Sequence, residues 1–157
     1  MMTIAIAEGV TDLRFSSRGG IYLPSKPEVA RVLVVEADPD LRALLVDVLA
    51  DEGYGVVAAQ GEADGLYAVR NHHPKMLLLD IGPETGPGLK LLERLRAGEP
   101  TRYIPAMAIT GQSPEEVAAH EARLDGVVRM PFDLDVLLAQ VAQVARARTG
   151  VARGDEA

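Results

Sequence analysis

Five short apolar runs, each followed by a helix-like stripe, constrain this chain more than anything else in it. The most telling is Met76-Leu77-Leu78-Leu79-Asp80, where an unalternating apolar block runs straight into one carboxylate. Such a block is too short for a typical helix and fits a strand buried on both faces of a parallel sheet. The strand must end at Asp80, because Ile81-Gly82-Pro83-Glu84-Thr85-Gly86-Pro87-Gly88 is turn chemistry. Open α/β sheets bind ligands in the crevice beyond the carboxyl ends of their strands, which makes Asp80 the first candidate site residue.

The other four units follow the same grammar. Arg31-Val32-Leu33-Val34-Val35 is a second continuous strand, ending at Glu36-Ala37-Asp38. Pro39 suits a first helical position with Asp38 as N-cap, and Leu41, Leu44, Leu45, Val48 and Leu49 form the apolar stripe that Gly53 closes. Val56–Ala59 is a short strand, and the helix over 61–73 turns Ala63, Leu66, Tyr67 and Arg70 inward. Leu89, Leu92 and Leu95 mark a third helix, stopped by Gly98 and Pro100. The run from Ile104 is a fourth strand ending in the hydroxyl of Thr110. Ser113-Pro114-Glu115-Glu116 is a capping box opening a helix to about Leu124. Val127–Met130 is a fifth strand, cut by Pro131. The last helix, from about Asp133, buries Leu134, Leu137, Leu138, Val141 and Val144. Strand–helix alternation with short connections demands parallel strands and right-handed crossovers. The expected fold is α/β, a three-layer doubly wound sheet of five parallel strands.

Length and charge narrow the class. At 157 residues, one domain over 30–148 is expected, with a largely flexible extension over 1–29 and a tail over 149–157. Within the extension, Thr3–Ala7 and Gly20–Leu23 are candidate short strands. With no cysteine there is no disulfide, thiolate metal site or cysteine nucleophile. A net charge of −7 without a basic cluster argues against nucleic acid as a partner. No run reaches a membrane span and the start does not read as a signal peptide, so a cytoplasmic protein is expected. His72, His73 and His120 read as surface residues.

If the strands run parallel, their tips bring Glu36, Asp38, Asp80, Thr110 and Met130 to one edge. Carboxylates from two neighbouring strands suit a hard cation such as Mg²⁺, and a nearby hydroxyl suits a phosphoryl oxygen. These pieces, in order, resemble the response-regulator receiver domain of two-component signalling: Val34-Val35-Glu36-Ala37-Asp38-Pro39-Asp40, Leu77-Leu78-Leu79-Asp80, Gly88, Ile109-Thr110-Gly111 and Pro131-Phe132. The resemblance covers residues 31 to about 147. It implies strand order 2-1-3-4-5 and a phosphoacceptor at Asp80, charged by a histidine kinase or phosphotransfer protein. It also implies Mg²⁺ held by acidic residues at the first strand's end, by Asp80 and by the backbone carbonyl of Gly82. Thr110 is implied as the switch residue. Output would pass to a downstream protein through the face of helix 4, strand 5 and helix 5, and a homodimer is compatible with this.

The departures fall on the chemistry. The family's acidic pair is here Glu36-Ala37, and an alanine offers no oxygen, which leaves Asp38 as a substitute ligand if the loop bends. The family's lysine is here Met130, and its switch aromatic falls at Val127. Losing one aimed electrostatic contact commonly slows such a transfer by ~10²–10³. Two readings therefore stand: a single-domain, non-enzymatic receiver phosphorylated on Asp80, and a degenerate receiver that binds its partner without phosphorylation. A distant third is a haloacid-dehalogenase-type phosphatase, from Asp38-Pro39-Asp40, although that family places its first aspartate where this chain has Glu36. The Asp80 pKa is expected to be raised, since Met130 lowers the local polarity and one cation is missing.

Overall fold

The computed structural model describes residues 14–15, 21–22, 31–82, 87–120 and 123–156. Each apolar run forms a strand of a single five-stranded sheet, in chain order β3 (Arg31–Val35), β4 (Gly55–Ala59), β5 (Met76–Asp80), β6 (Ala106–Thr110) and β7 (Gly126–Arg129). Two shorter strands precede them: β1 (Arg14–Phe15) and β2 (Ile21–Tyr22) pair antiparallel, apart from the main sheet. Ile21–Tyr22 falls inside the strand expected over Gly20–Leu23, whereas Thr3–Ala7 and most of the expected flexible extension lie outside the described residues.

All four pairings of the main sheet are parallel, and the spatial order is β4-β3-β5-β6-β7, the 2-1-3-4-5 arrangement. The two central strands are sealed on both faces, with Val32 to Val35 and Met76 to Leu79 at most 1% exposed. Period-two alternation divides them between two cores. Leu33, Val35, Leu77 and Leu79 face the layer of α2 (Glu62–His72) and α3 (Pro87–Arg96). Val32, Val34, Met76 and Leu78 face α1 (Pro39–Asp51) and α5 (Leu134–Glu156). Burying that much aliphatic surface on both sides is what selects a three-layer fold.

Local signals mostly act as read. Asp38 caps α1, its carboxylate accepting from Asp40 N and Leu41 N, with Pro39 in the first turn. Gly53 takes a positive φ of 102° past the end of α1. Ser113 and Glu116 form the capping box of α4 (Pro114–Ala118).

Four expectations are corrected. The helix α2 buries Gly65, Ala68 and Val69, not Ala63 and Tyr67; Tyr67 is 65% exposed. A Cβ on Gly65 would lie 2.6 Å from Leu91 Cδ2, so the helix packs its smallest residue against α3 and is rotated accordingly. Leu44, expected in the α1 stripe, is 43% exposed. The helix α4 stops at Ala118 and not near Leu124, because His120 N and Arg123 N bond back three residues and tighten the chain out of the α-helical ladder. The last helix continues to Glu156, through the stretch expected as a tail.

Candidate functional site at the strand tips

Register decides which side chains meet. Val35 pairs with Leu79, so the next residues, Glu36 and Asp80, stand level at the tips of the two central strands and on one face of the pleat. Asp80 in turn pairs with Ile109, which places Thr110 one residue further along β6, on the opposite side of the alternation. Backbone bonds extend the sheet beyond its formal ends: Glu36 N donates to Ala59 O, Ile81 N to Ile109 O and Met130 N to Thr110 O. The tips are therefore rigid platforms for their side chains.

Glu36 is 3% exposed, and its Oε1 accepts from Asp38 N at 3.1 Å. Its Oε2 is buried without a hydrogen-bond partner. Burial pushes the Glu36 carboxyl from 4.5 up to about 7, the Asp38 amide pulls it down, and the charge and hydrogen bond of Asp80 push it further up. Asp80 is raised too, chiefly by burial, while its bond to Glu36 works the other way. A hydrogen bond between two carboxyls needs a proton on one of them, which is why each carboxyl bears on the proton affinity of the other. The rise expected at Asp80 is thus present, with burial as its leading cause.

The supporting residues are set by local packing. Gly88 opens α3 directly over the end of β5: a Cβ there would meet Asp80 O at 2.2 Å and Leu79 Cβ at 3.2 Å. Arg42 reaches back from α1, its Nη1 donating to Glu36 O at 2.8 Å and Ala37 O at 3.3 Å. Thr110 is fully buried, and its Oγ1 accepts from Gln112 N at 3.0 Å. Gln112 Oε1 is a second buried oxygen without a partner. Met130 is 40% exposed, with its Cε 4.0 Å from where a Cβ of Gly111 would stand.

The structure therefore joins Glu36 with Asp80, turns the Thr110 hydroxyl onto its own loop, and engages the Asp38 carboxylate as a helix cap. Gly82 follows β5 at the same edge, partly buried, and Ala37 is exposed beside Glu36. Sequence reading passed over Arg42 and Gln112. Arg42 did leave a signal: a cation near a helix N-terminus opposes the macrodipole and invites the question of what holds it there. Gln112 left none.

The donors can be tested against the Mg²⁺ that the resemblance implies. Two carboxylates converge; Ala37 supplies nothing and Asp38 is occupied. Among the described residues no group of three or more His, Asp or Glu side chains is placed to hold a metal. Two carboxylates serve Mg²⁺ where a substrate phosphate completes the shell. As they stand, these residues do not fit a resident ion.

Comparison with known proteins locates this arrangement. The family profile described as the response regulator receiver domain matches residues 32–142. The transcriptional regulatory protein KdpE of Mycobacterium tuberculosis is 34% identical over 122 residues, which are 77% of this chain and 53% of KdpE. The virulence transcriptional regulatory protein PhoP of Salmonella typhimurium is 29% identical over 78% of this chain and 54% of its own. The chain spans about half the length of these curated relatives. Among solved structures, NtrX from Brucella abortus superposes with a TM-score of 0.73 at 25% identity, over 82% of this chain and 29% of that one. The chemotaxis response regulator CheY4 of Vibrio cholerae shares the fold, with a TM-score of 0.67 at 23% identity, over 74% of this chain and 98% of its own.

Proposed function

Because the chain belongs to the response regulator receiver domain family, we propose that it relays a signal by protein contact, with Asp80 at the acceptor position and without forming an acyl phosphate. The observation that carries this reading is the Glu36–Asp80 pair, for which the described residues supply no ion-pair partner, with Ala37 beside Glu36 and Met130 at the tip of β7. A nucleophilic carboxylate must be ionised, and the charge building on a transferred phosphoryl group must be met by fixed positive charge. Here burial favours a retained proton, alanine stands in place of one ligand, and a thioether stands in place of an ammonium. Each loss of an aimed contact is worth ~10²–10³ in rate, so the two together remove the transfer from a signalling timescale.

Output on this reading passes to a downstream protein through the face built by α4, β7 and α5, with no catalytic turnover. A cytoplasmic site of action accords with the fact that no helix among the described residues is long and apolar enough to cross a membrane. A second reading is favoured by the partial exposure of Asp80 at a strand tip, where a histidine kinase or phosphotransfer protein could reach it.

Incubation with acetyl phosphate and Mg²⁺, followed by intact-mass measurement, separates the two. The natural chain is expected to gain no species heavier by about 80 Da, and the Ala37→Asp, Met130→Lys double variant to gain one. Stoichiometric phosphorylation of the natural chain would overturn the reading.

A further inference from the structure

The main sheet has two edges, and the chain treats them differently. At one, β7 is 4 residues long, carries Arg129 and runs into Pro131, which are common means of keeping other strands off an exposed edge. At the other, β4 presents Gly55-Val56-Val57-Ala58-Ala59, with no charge and no proline between Tyr54 and Gly61. The direction of its peptide groups follows from the pairing with β3. Ala59 O accepts from Glu36 N, so Gly55, Val57 and Ala59 turn their backbone groups toward β3. Those groups alternate along a strand, so the amides and carbonyls of Val56, Ala58 and Gln60 point away from the sheet. Ala58 and Gln60 are exposed, and Val56 and Val57 are half-buried. A neutral, β-branched edge of this kind is a template for one more strand.

Both faces at this edge are half-covered as well. Val57 and Leu66 sit partly buried on the α2 side, Val56 and Tyr54 on the α1 side. The segment Thr3-Ile4-Ala5-Ile6-Ala7 fits such a place: it is uncharged, with Ile4 and Ile6 on one face and Thr3, Ala5 and Ala7 on the other. The chain also delivers it. The strand β3 begins at Arg31, level with Gly55, so the extension enters the domain one strand from the free edge. A strand added there lies ~10 Å from β3, two strand spacings, and the stretch 8–30 reaches several times as far at ~3.3 Å per extended residue. Tethering holds the segment near the edge at an effective concentration of about mM. A second copy of β4 is the poorer occupant. Antiparallel pairing of two such edges would bring Asp51 and Glu52 of one copy against the Glu62 and Asp64 end of the other, acid against acid.

We propose that residues 3–7 add to the outer edge of β4 in the same molecule, as a sixth strand of the main sheet bonded to the backbone of Val56 and Ala58. The added strand closes this edge to other chains, whether or not Asp80 takes a phosphoryl group.

Amide hydrogen exchange of the full chain, resolved by residue with NMR, tests this. The amides of Val57 and Ala59 bond to β3 and report the fold itself; those of Val56 and Ala58 report the edge. In the natural chain the edge amides should exchange at least ~10-fold more slowly than in an Ile4→Asp, Ile6→Asp double variant, the worth of about one net hydrogen bond. Val57 and Ala59 should stay protected in both. Val10→Asp, outside the segment, should leave the edge amides slow. Exchange of Val56 and Ala58 at free-peptide rates in the natural chain, or protection that survives the double variant, would overturn the proposal. Loss of protection at Val57 and Ala59 in the double variant would do so too, since residues 3–7 would then support the whole domain and not its edge. Protection that grows with protein concentration would also overturn it, because the strand would then come from a second copy.

Discussion

Glu36 is held where a carboxylate is least comfortable: buried at a strand tip, beside a second acid, with one oxygen unmatched. Its proton affinity therefore belongs to the fold and should show in stability. The folded state keeps a proton between pH 4.5 and about 7 that the unfolded chain has already lost. Where the native state binds more protons, stability falls as pH rises. Cooling the comparison to one residue, the natural chain should lose on the order of 1–3 kcal/mol between pH 5 and pH 8 relative to Glu36→Gln, measured by urea unfolding at each pH. A difference that is flat with pH, or that grows in the other direction, would show that Glu36 is ionised in the fold throughout. Little of this could be read from the chain itself. Parallel strands bring Glu36 and Asp80 to one edge, but the register of β3 on β5 sets them level and burial raises their proton affinity, neither of which the letters announce.

At the scale of elements, the sequence was most legible where one residue type does one job. Asp38 and Ser113 announced their caps, Gly53 its positive φ, and the apolar blocks their strands. It was least legible where two elements negotiate. The rotation of α2 depends on Gly65 fitting against Leu91, a partner on another helix, and periodicity alone pointed to Tyr67. The start of α3 over the Asp80 carbonyl depends on Gly88 in the same way. Gly88→Ala should lower stability by about 1–3 kcal/mol, because its Cβ meets a backbone oxygen at 2.2 Å and backbone cannot move aside cheaply. Gly82→Ala, with nothing within 4 Å of its Cβ, should be close to neutral in the same thermal-unfolding assay. Equal effects at the two glycines would mean that α3 does not sit where the structure puts it.

Taken whole, the molecule is a scaffold that delivers its strand tips to one edge, where Glu36 and Asp80 stand level. Alternation with short crossovers called for parallel strands, and the order β4-β3-β5-β6-β7 is the one that the family resemblance implied. The convergence of Glu36 and Asp80 followed from that order. Thr110 did not follow it: its hydroxyl is bonded to Gln112 N, a local turn that no strand pattern announces. Nor did the shortness of α4 or the reach of α5 to Glu156, both set by helix ends without strong stop signals. The account depends throughout on an acidic pair whose proton affinity is raised because its two carboxyls are buried side by side. Its most direct test is a ¹³C NMR titration of the Glu36 and Asp80 carboxyl carbons in the natural chain. Glu36 is predicted to titrate at about 7 and Asp80 above the ordinary 3.8; two carboxyls both ionising at or below their ordinary values would contradict it.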